Sequence, residues 1–212
     1  MDQRTNRRTA VLSITVFVEG GGQSKDLRTR CRQGFHEFLD SAMPAGRMPK
    51  IVACGSRNDA FERFRTAISL DQSGAYVLLV DSEDVCEPNV TRWQHVKQRS
   101  GDGWDVPSGA TEDHLHFMAV CMESWLIADP SSLARFYAKG FEAGQLPETV
   151  DLETVEKATV FDSLQRATRA TVKGEYSKGK VSFAALGSLD VTTVSSRMPH
   201  CRRFVDHLSA SH

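Results

Sequence analysis

Three carboxylates stand in a pattern suited to phosphate chemistry. Glu19 closes an apolar run and is followed by Gly20-Gly21-Gly22 and then by Ser24-Lys25-Asp26. Asp81 and Glu83 belong to Asp81-Ser82-Glu83-Asp84, which follows another apolar run. Carboxylates crowded into one cleft raise each other's pKa, and a cation among them relieves the repulsion. An all-oxygen donor set selects a hard ion such as Mg²⁺ or Mn²⁺. The glycines keep bulk away from Glu19 and let backbone amides face an anion, and Lys25, just inside the next helix, adds a point charge for a phosphate. Two familiar fingerprints fail here. In G-x-x-x-x-G-K-[ST], counted from Gly20, Lys25 falls on the second glycine, and in G-x-G-x-x-G it breaks the third.

For these acids to meet, the runs before them must be neighbours in one sheet. AVLSITVFVE (10–19), KIVACG (50–55) and AYVLLVD (75–81) are apolar, rich in β-branched residues and bounded by turn formers, as strands buried on both faces are. From Ser24, Leu27, Cys31, Phe35, Phe38, Leu39 and Ala42 recur at helical spacing until Pro44-Ala45-Gly46. Ser56 with Asp59 opens a second helix that buries Phe61, Phe64, Ala67 and Ile68. This β-α-β-α-β succession predicts right-handed crossovers and a mostly parallel sheet, whose ligands gather at the carboxyl ends of the strands. Arg57 and Asn58, after the second strand, fall at the same edge as substrate contacts.

The remainder of the chain reads less regularly. Residues 84–112 are polar, with a short helix over 93–98, and Trp93 and Trp104 are expected to form small local cores. HLHFMAV (114–120) reads as a fourth strand leading into a helix through MESWLIA, and Asp129-Pro130 starts another. An amphipathic helix is predicted over 151–170, a loop at KGEYSKGK (173–180), and two closing helices, the last capped by Asp190. The division is a basic tail over 1–9 and one α/β domain over 10–212, with its core at 10–129 and a helical extension at 130–212.

Net charge is −1, with 26 Lys and Arg against 27 Asp and Glu, so no broad cationic face is expected. No apolar run approaches the roughly 20 residues of a membrane span. The five cysteines are scattered without C-x-x-C, which fits a reducing cytoplasm rather than a disulfide framework. Glu123, among apolar residues of MESWLIAD, wants a partner: a metal ion, a neighbour of one, or a structural cation. His114 and His116 share a predicted strand face but lack a third nitrogen or sulfur ligand and read as edge histidines. Lys173, Tyr176, Lys178 and Lys180 combine cations with an aromatic as a phosphate or base-stacking contact does, Lys178 being the foremost; an exposed loop explains them equally.

A strand ending in Glu-Gly, followed by a strand ending in an acidic pair, resembles the Toprim catalytic domain of topoisomerases, primases and OLD-family nucleases. More closely, the set VEGGGQSKDLRTRCR, IVACGSRNDA, VLLVDSED, CMESWLIAD, LARFYAKGF and YSKGKVSFAALG resembles a bacterial Toprim-like family, the domain-of-unknown-function family numbered four-two-seven-six, over 16–208. The resemblance implies a Toprim/Rossmann-like fold and Mg²⁺- or Mn²⁺-dependent hydrolysis of DNA or RNA. It makes Glu19 the general acid/base and Asp81 and Glu83 the metal ligands, Glu83 standing where Toprim has its second Asp and Asp84 being a rival. It also implies an ABC/AAA-type ATPase partner in an anti-phage or mobile-element system. The expected partners are therefore nucleic acid, that ATPase and a further copy of the chain in a homo-oligomer, with no membrane. The alternative is a non-catalytic module that binds nucleotide or nucleic acid and regulates the ATPase.

Overall fold

Strands buried on both faces need helices on both sides, and the chain supplies them. In the computed structural model, which describes residues 13–210, four strands form one parallel sheet. They are β1 (Thr15–Gly21), β2 (Lys50–Gly55), β3 (Tyr76–Asp81) and β4 (Leu115–Met118), in the order β2-β1-β3-β4. Val16 and Val18 of β1 go to one face with Val77 and Leu79 of β3, while Phe17, Leu78 and Val80 go to the other. This two-sided burial is why the strands read as continuous apolar runs.

The crossovers are α1 (Lys25–Leu39) and α2 (Arg57–Leu70). Ser24 and Ser56 cap them, each accepting a backbone N–H three residues on at 3.1 Å, which satisfies an otherwise orphaned donor. On the first face Phe38 of α1 stacks on Trp125, 5.3 Å between centroids. On the second face Phe61 of α2 lies parallel to Trp104 at 4.3 Å, and Phe64 stacks on Trp93. Both tryptophans thus belong to the second-face core rather than to separate local clusters, and they fasten the stretch 84–112 with its helix α3 (Arg92–Gln98).

The remaining helices are α4 (Met122–Ala128), α5 (Pro130–Tyr137), α6 (Lys157–Thr168), α7 (Lys180–Gly187), α8 (Val191–Arg197) and α9 (Pro199–Ala210). Their buried residues, among them Trp125, Leu133, Leu164, Leu186, Val194 and Phe204, join the first-face core. Among the described residues no helix is long and apolar enough to cross a membrane. All five cysteines are free.

Several boundaries differ from expectation. The tail 1–9 and the start of the run at residue 10 lie outside the described residues. β1 runs on past Glu19 to take in Gly20 and Gly21. Helix α1 stops at Leu39, and Ala42 and Met43 turn back onto the Leu39 carbonyl. Over 151–170 a 3₁₀ turn, Leu152–Thr154, precedes α6. Three helices close the chain where two were expected. Asp190 caps α8, and Pro199, which lacks the N–H a continuing helix needs, begins α9. His114 sits in a 3₁₀ turn before β4, so it does not share a strand face with His116. Its Nδ1 accepts the Thr111 N–H at 3.0 Å, while buried His116 bonds the Asp113 carbonyl through Nε2.

Candidate functional site

The ends of β1 and β3 bring together the acids singled out in the sequence. Glu19, Asp81 and Glu83 each present a carboxylate oxygen, and these oxygens lie within 4.8 Å of one another. Two backbone features set them there. At the end of β1, Glu19, Gly20 and Gly21 all stand opposite Gly55, so the ladder is irregular where Glu19 projects. Gly20 and Gly21 have φ of 136° and 84°, and a Cβ on Gly21 would fall 2.8 Å from the Arg28 Cα, so the path admits glycine alone. After β3, Glu83 adopts φ 69°, a left-handed conformation uncommon in a residue other than glycine.

The acids are bound into a network. Asp81 Oδ1 accepts the Met122 N–H at the start of α4 (2.9 Å), and Oδ2 lies 3.3 Å from Lys157 Nζ. The same Nζ is 2.6 Å from Glu83 Oε2. Glu19 Oε2 accepts the Asp81 N–H at 3.2 Å and pairs with Arg57 Nη1 at 3.4 Å. Arg57 also donates to the Asp81 carbonyl, and it is held by two bonds of 2.8 Å to Asp102 and by the Trp104 ring, 4.8 Å from its Cζ. Arg99 bonds Asp102 at 3.1 Å and reaches Asp84 at 3.6 Å and Glu83 at 4.0 Å.

Burial governs the charges. It pushes the Asp81 carboxyl up to about 8, with the Glu19 charge adding to the effect. It also raises Glu19, against the pull of Arg57. Glu83, half-buried, is raised by burial but lowered more by its hydrogen bond and charge pairing with Lys157, and ends below the usual carboxylate range. Lys157 ends above the usual lysine range, because Asp81 and Glu83 outweigh its burial.

A cavity of about 330 Å³ opens beside the acids, and Glu19, Asp81, the glycine loop, Lys178 and Phe183 are among the residues that line it. Gly20 and Gly21 both line it. Glu123 lines it too, but stands outside the acid group and spends Oε1 on the Tyr176 hydroxyl, 2.7 Å away. Arg57 touches the acids rather than the cavity wall. Lys25 and Asn58 are exposed on the first turns of α1 and α2 and do not line the cavity. Tyr176 is buried, so it is no platform for a base. Lys173 and Lys178 cover the Phe136 and Phe161 rings, and Lys180 pairs with Asp26.

The family assignment rests on a match along most of this structure. The family's sequence profile matches residues 18–209, from the middle of β1 to the last turn of α9. The chain belongs to the family described as Domain of unknown function (DUF4276). The match takes in both strand ends that carry the acids, and also Arg57, Asp102 and Lys157 around them. No curated protein matches the DUF4276 chain. No solved structure matches it either.

Reasoning from the sequence missed Lys157, Arg99 and Asp102. Lys157 opens α6, 76 positions from Asp81, and looks like any solvated first-turn lysine. One signal was available: three acids at one sheet edge call for cations from elsewhere in the chain as well as for a metal ion.

Proposed function

We propose that this DUF4276 chain is a divalent-metal-dependent phosphodiesterase of Toprim type acting on nucleic acid, DNA or RNA. The observation that carries the reading is the convergence of Glu19, Asp81 and Glu83 beside a glycine loop at the carboxyl edge of a parallel sheet. The donors fit Mg²⁺ or Mn²⁺: three hard carboxylate oxygens lie close enough to approach the roughly 2.0–2.1 Å shell such an ion requires. Asp81, driven towards its protonated form, marks a place short of positive charge. Asp81 and Glu83, with Glu19, would hold the ion, which when bound polarises a phosphoryl oxygen and lowers the pKa of water.

The chain's own residues do the rest. Glu19 moves the proton, held in position by Arg57 and by the Asp81 N–H. The glycine loop leaves space for the phosphate, and Lys178, which lines the same cavity, serves as its counter-charge. The resemblance to Toprim enzymes supports this division of labour, and it is also what suggests the ATPase partner and a role as a defence effector. The test is turnover of a plasmid and of an RNA pool by pure protein, with and without Mg²⁺ or Mn²⁺. Metal-dependent cleavage that disappears in Asp81→Ala is expected.

Lys157 favours a second reading. Its ammonium already lies on Asp81 and Glu83, as in a site whose acids are neutralised from within. In that reading the chain binds nucleotide or nucleic acid without cleaving it and regulates its ATPase. Binding with no turnover, metal and ATPase supplied, would establish it.

A further inference from the structure

The cavity beside the acids is more apolar than phosphate chemistry alone requires. Leu27, Met118, Met122 and Phe183 line it together with Glu19, Asp81 and the glycine loop. The close approach of α7 to α1 puts them there. Gly34, inside α1, lets the two backbones touch, since a Cβ on it would fall 2.4 Å from the Phe183 carbonyl oxygen. The Phe183 ring then reaches the glycine loop, where a Cβ on Gly20 would stand 3.5 Å from its Cζ. Leu27, in the first turn of α1, spans two glycine turns. Its Cδ1 would lie 3.6 Å from a Cβ on Gly22, and its Cδ2 3.7 Å from one on Gly179. Aromatic and thioether side chains make an adaptable surface for a flat ring. Glu123 lines the same space, and with Oε1 on the Tyr176 hydroxyl its second oxygen is an acceptor suited to a base N–H.

We propose that this cavity is a nucleobase subsite that takes one unpaired nucleotide, its base against Phe183, Met118 and Met122 and its phosphate at the glycine loop and Lys178. The proposal rests on the reading that the acids and the glycine loop face a phosphate. It narrows the substrate from nucleic acid in general to an unpaired nucleotide, within a single strand or free. Volume agrees: about 330 Å³ is at the small end of the roughly 300–1,000 Å³ of ligand cavities, which suits one mononucleotide. A base in a Watson–Crick pair is stacked on both faces and bonded along its edge, so it enters such a cavity only after unpairing and unstacking. Charge agrees as well. With a net charge of −1, the chain has little of the cationic surplus that duplex binding draws on, so the base contributes what phosphate contacts do not.

The test titrates the full chain, in saturating Mg²⁺, with adenosine 5′-monophosphate, uridine 5′-monophosphate and ribose 5-phosphate by calorimetry. Both nucleotides should bind at least about 10-fold tighter than the sugar phosphate, because a base laid on an aromatic side chain contributes that much. Leu27→Trp, which fills the cavity from the first turn of α1, should abolish the preference. If that variant does not fold, the wild-type comparison decides alone. In a second arm, a single-stranded oligonucleotide should bind at least about 10-fold tighter than the blunt duplex of the same sequence. Ribose 5-phosphate binding as tightly as the nucleotides, or none of the three binding, overturns the subsite whatever a cleavage assay shows. A preference that survives in folded Leu27→Trp, or a duplex bound as tightly as the single strand, overturns it too. The expected preference without cleavage of any nucleic acid keeps the subsite and removes the phosphodiesterase.

Discussion

Lys157 Nζ stands 2.6 Å from Glu83 Oε2, so the first residue of α6 is ionically tied to the loop after β3. The lysine and a metal ion compete for the same oxygens. Lys157→Met keeps length and removes charge. Metal affinity, measured by calorimetry, should rise by roughly 10-fold, because an attractive competitor worth on the order of 1 kcal/mol is gone. The metal-free protein should melt at a lower temperature, since two carboxylates lose their partner, and saturating Mg²⁺ should restore it. An unchanged metal affinity would mean that the lysine and the ion do not share a place.

Glu19→Gln preserves size and hydrogen bonding but removes an exchangeable proton. Turnover should fall by roughly 10²–10⁴ while metal-dependent thermal stabilisation persists. Loss of metal binding with activity recovered at high metal would make Glu19 a ligand alone.

Asp81 prefers its proton in the folded, metal-free protein, its carboxyl being pushed up to about 8. In an unfolded chain the same group ionises near its usual value of about 3.9. The contribution of Asp81 to stability is therefore fully present below about pH 4 and is lost as pH rises through about 8. Chemical unfolding should show wild type losing stability relative to Asp81→Asn between pH 5 and 8. Saturating Mg²⁺ should remove the difference, because an ion favours the charged form.

Tyr176 and Lys178 are two residues apart yet should separate cleanly. Tyr176→Phe strands the buried Glu123 carboxylate and should cost about 1–3 kcal/mol of stability, read from urea unfolding, with nucleic-acid affinity unchanged. Lys178→Ala should leave stability nearly intact while weakening nucleic-acid binding and reducing its salt slope by about one unit. The opposite pattern would return the aromatic to a binding role.

Periodicity carried the fold, because burial on both faces writes itself into strand composition. The runs at 50–55 and 75–81 became β2 and β3 almost residue for residue, and the Ser56 cap was legible in the pairing of Ser56 with Asp59. The acids were legible because topology alone places strand ends together. What could not be seen was which cations answer them. Arg57 was found because it follows a strand, whereas Lys157 and Arg99 reach the site through packing of α6 and α3, which no local pattern encodes. Tyr176 misled for the same reason: lysines on both sides made it look solvated, though it packs into the core.

The Gly22 carbonyl oxygen accepts from Arg28 Nε at 3.2 Å and sits where a Cβ on Gly55 would be 2.7 Å away. Gly55 is followed directly by Ser56 and Arg57, the cap and first residue of α2. The glycine loop and the arginine that steadies Glu19 are thus seated on each other with no slack between them. Were a phosphate to displace the loop, it would press on the backbone two residues before Arg57, and the push would reach Glu19 through the Arg57–Glu19 pair.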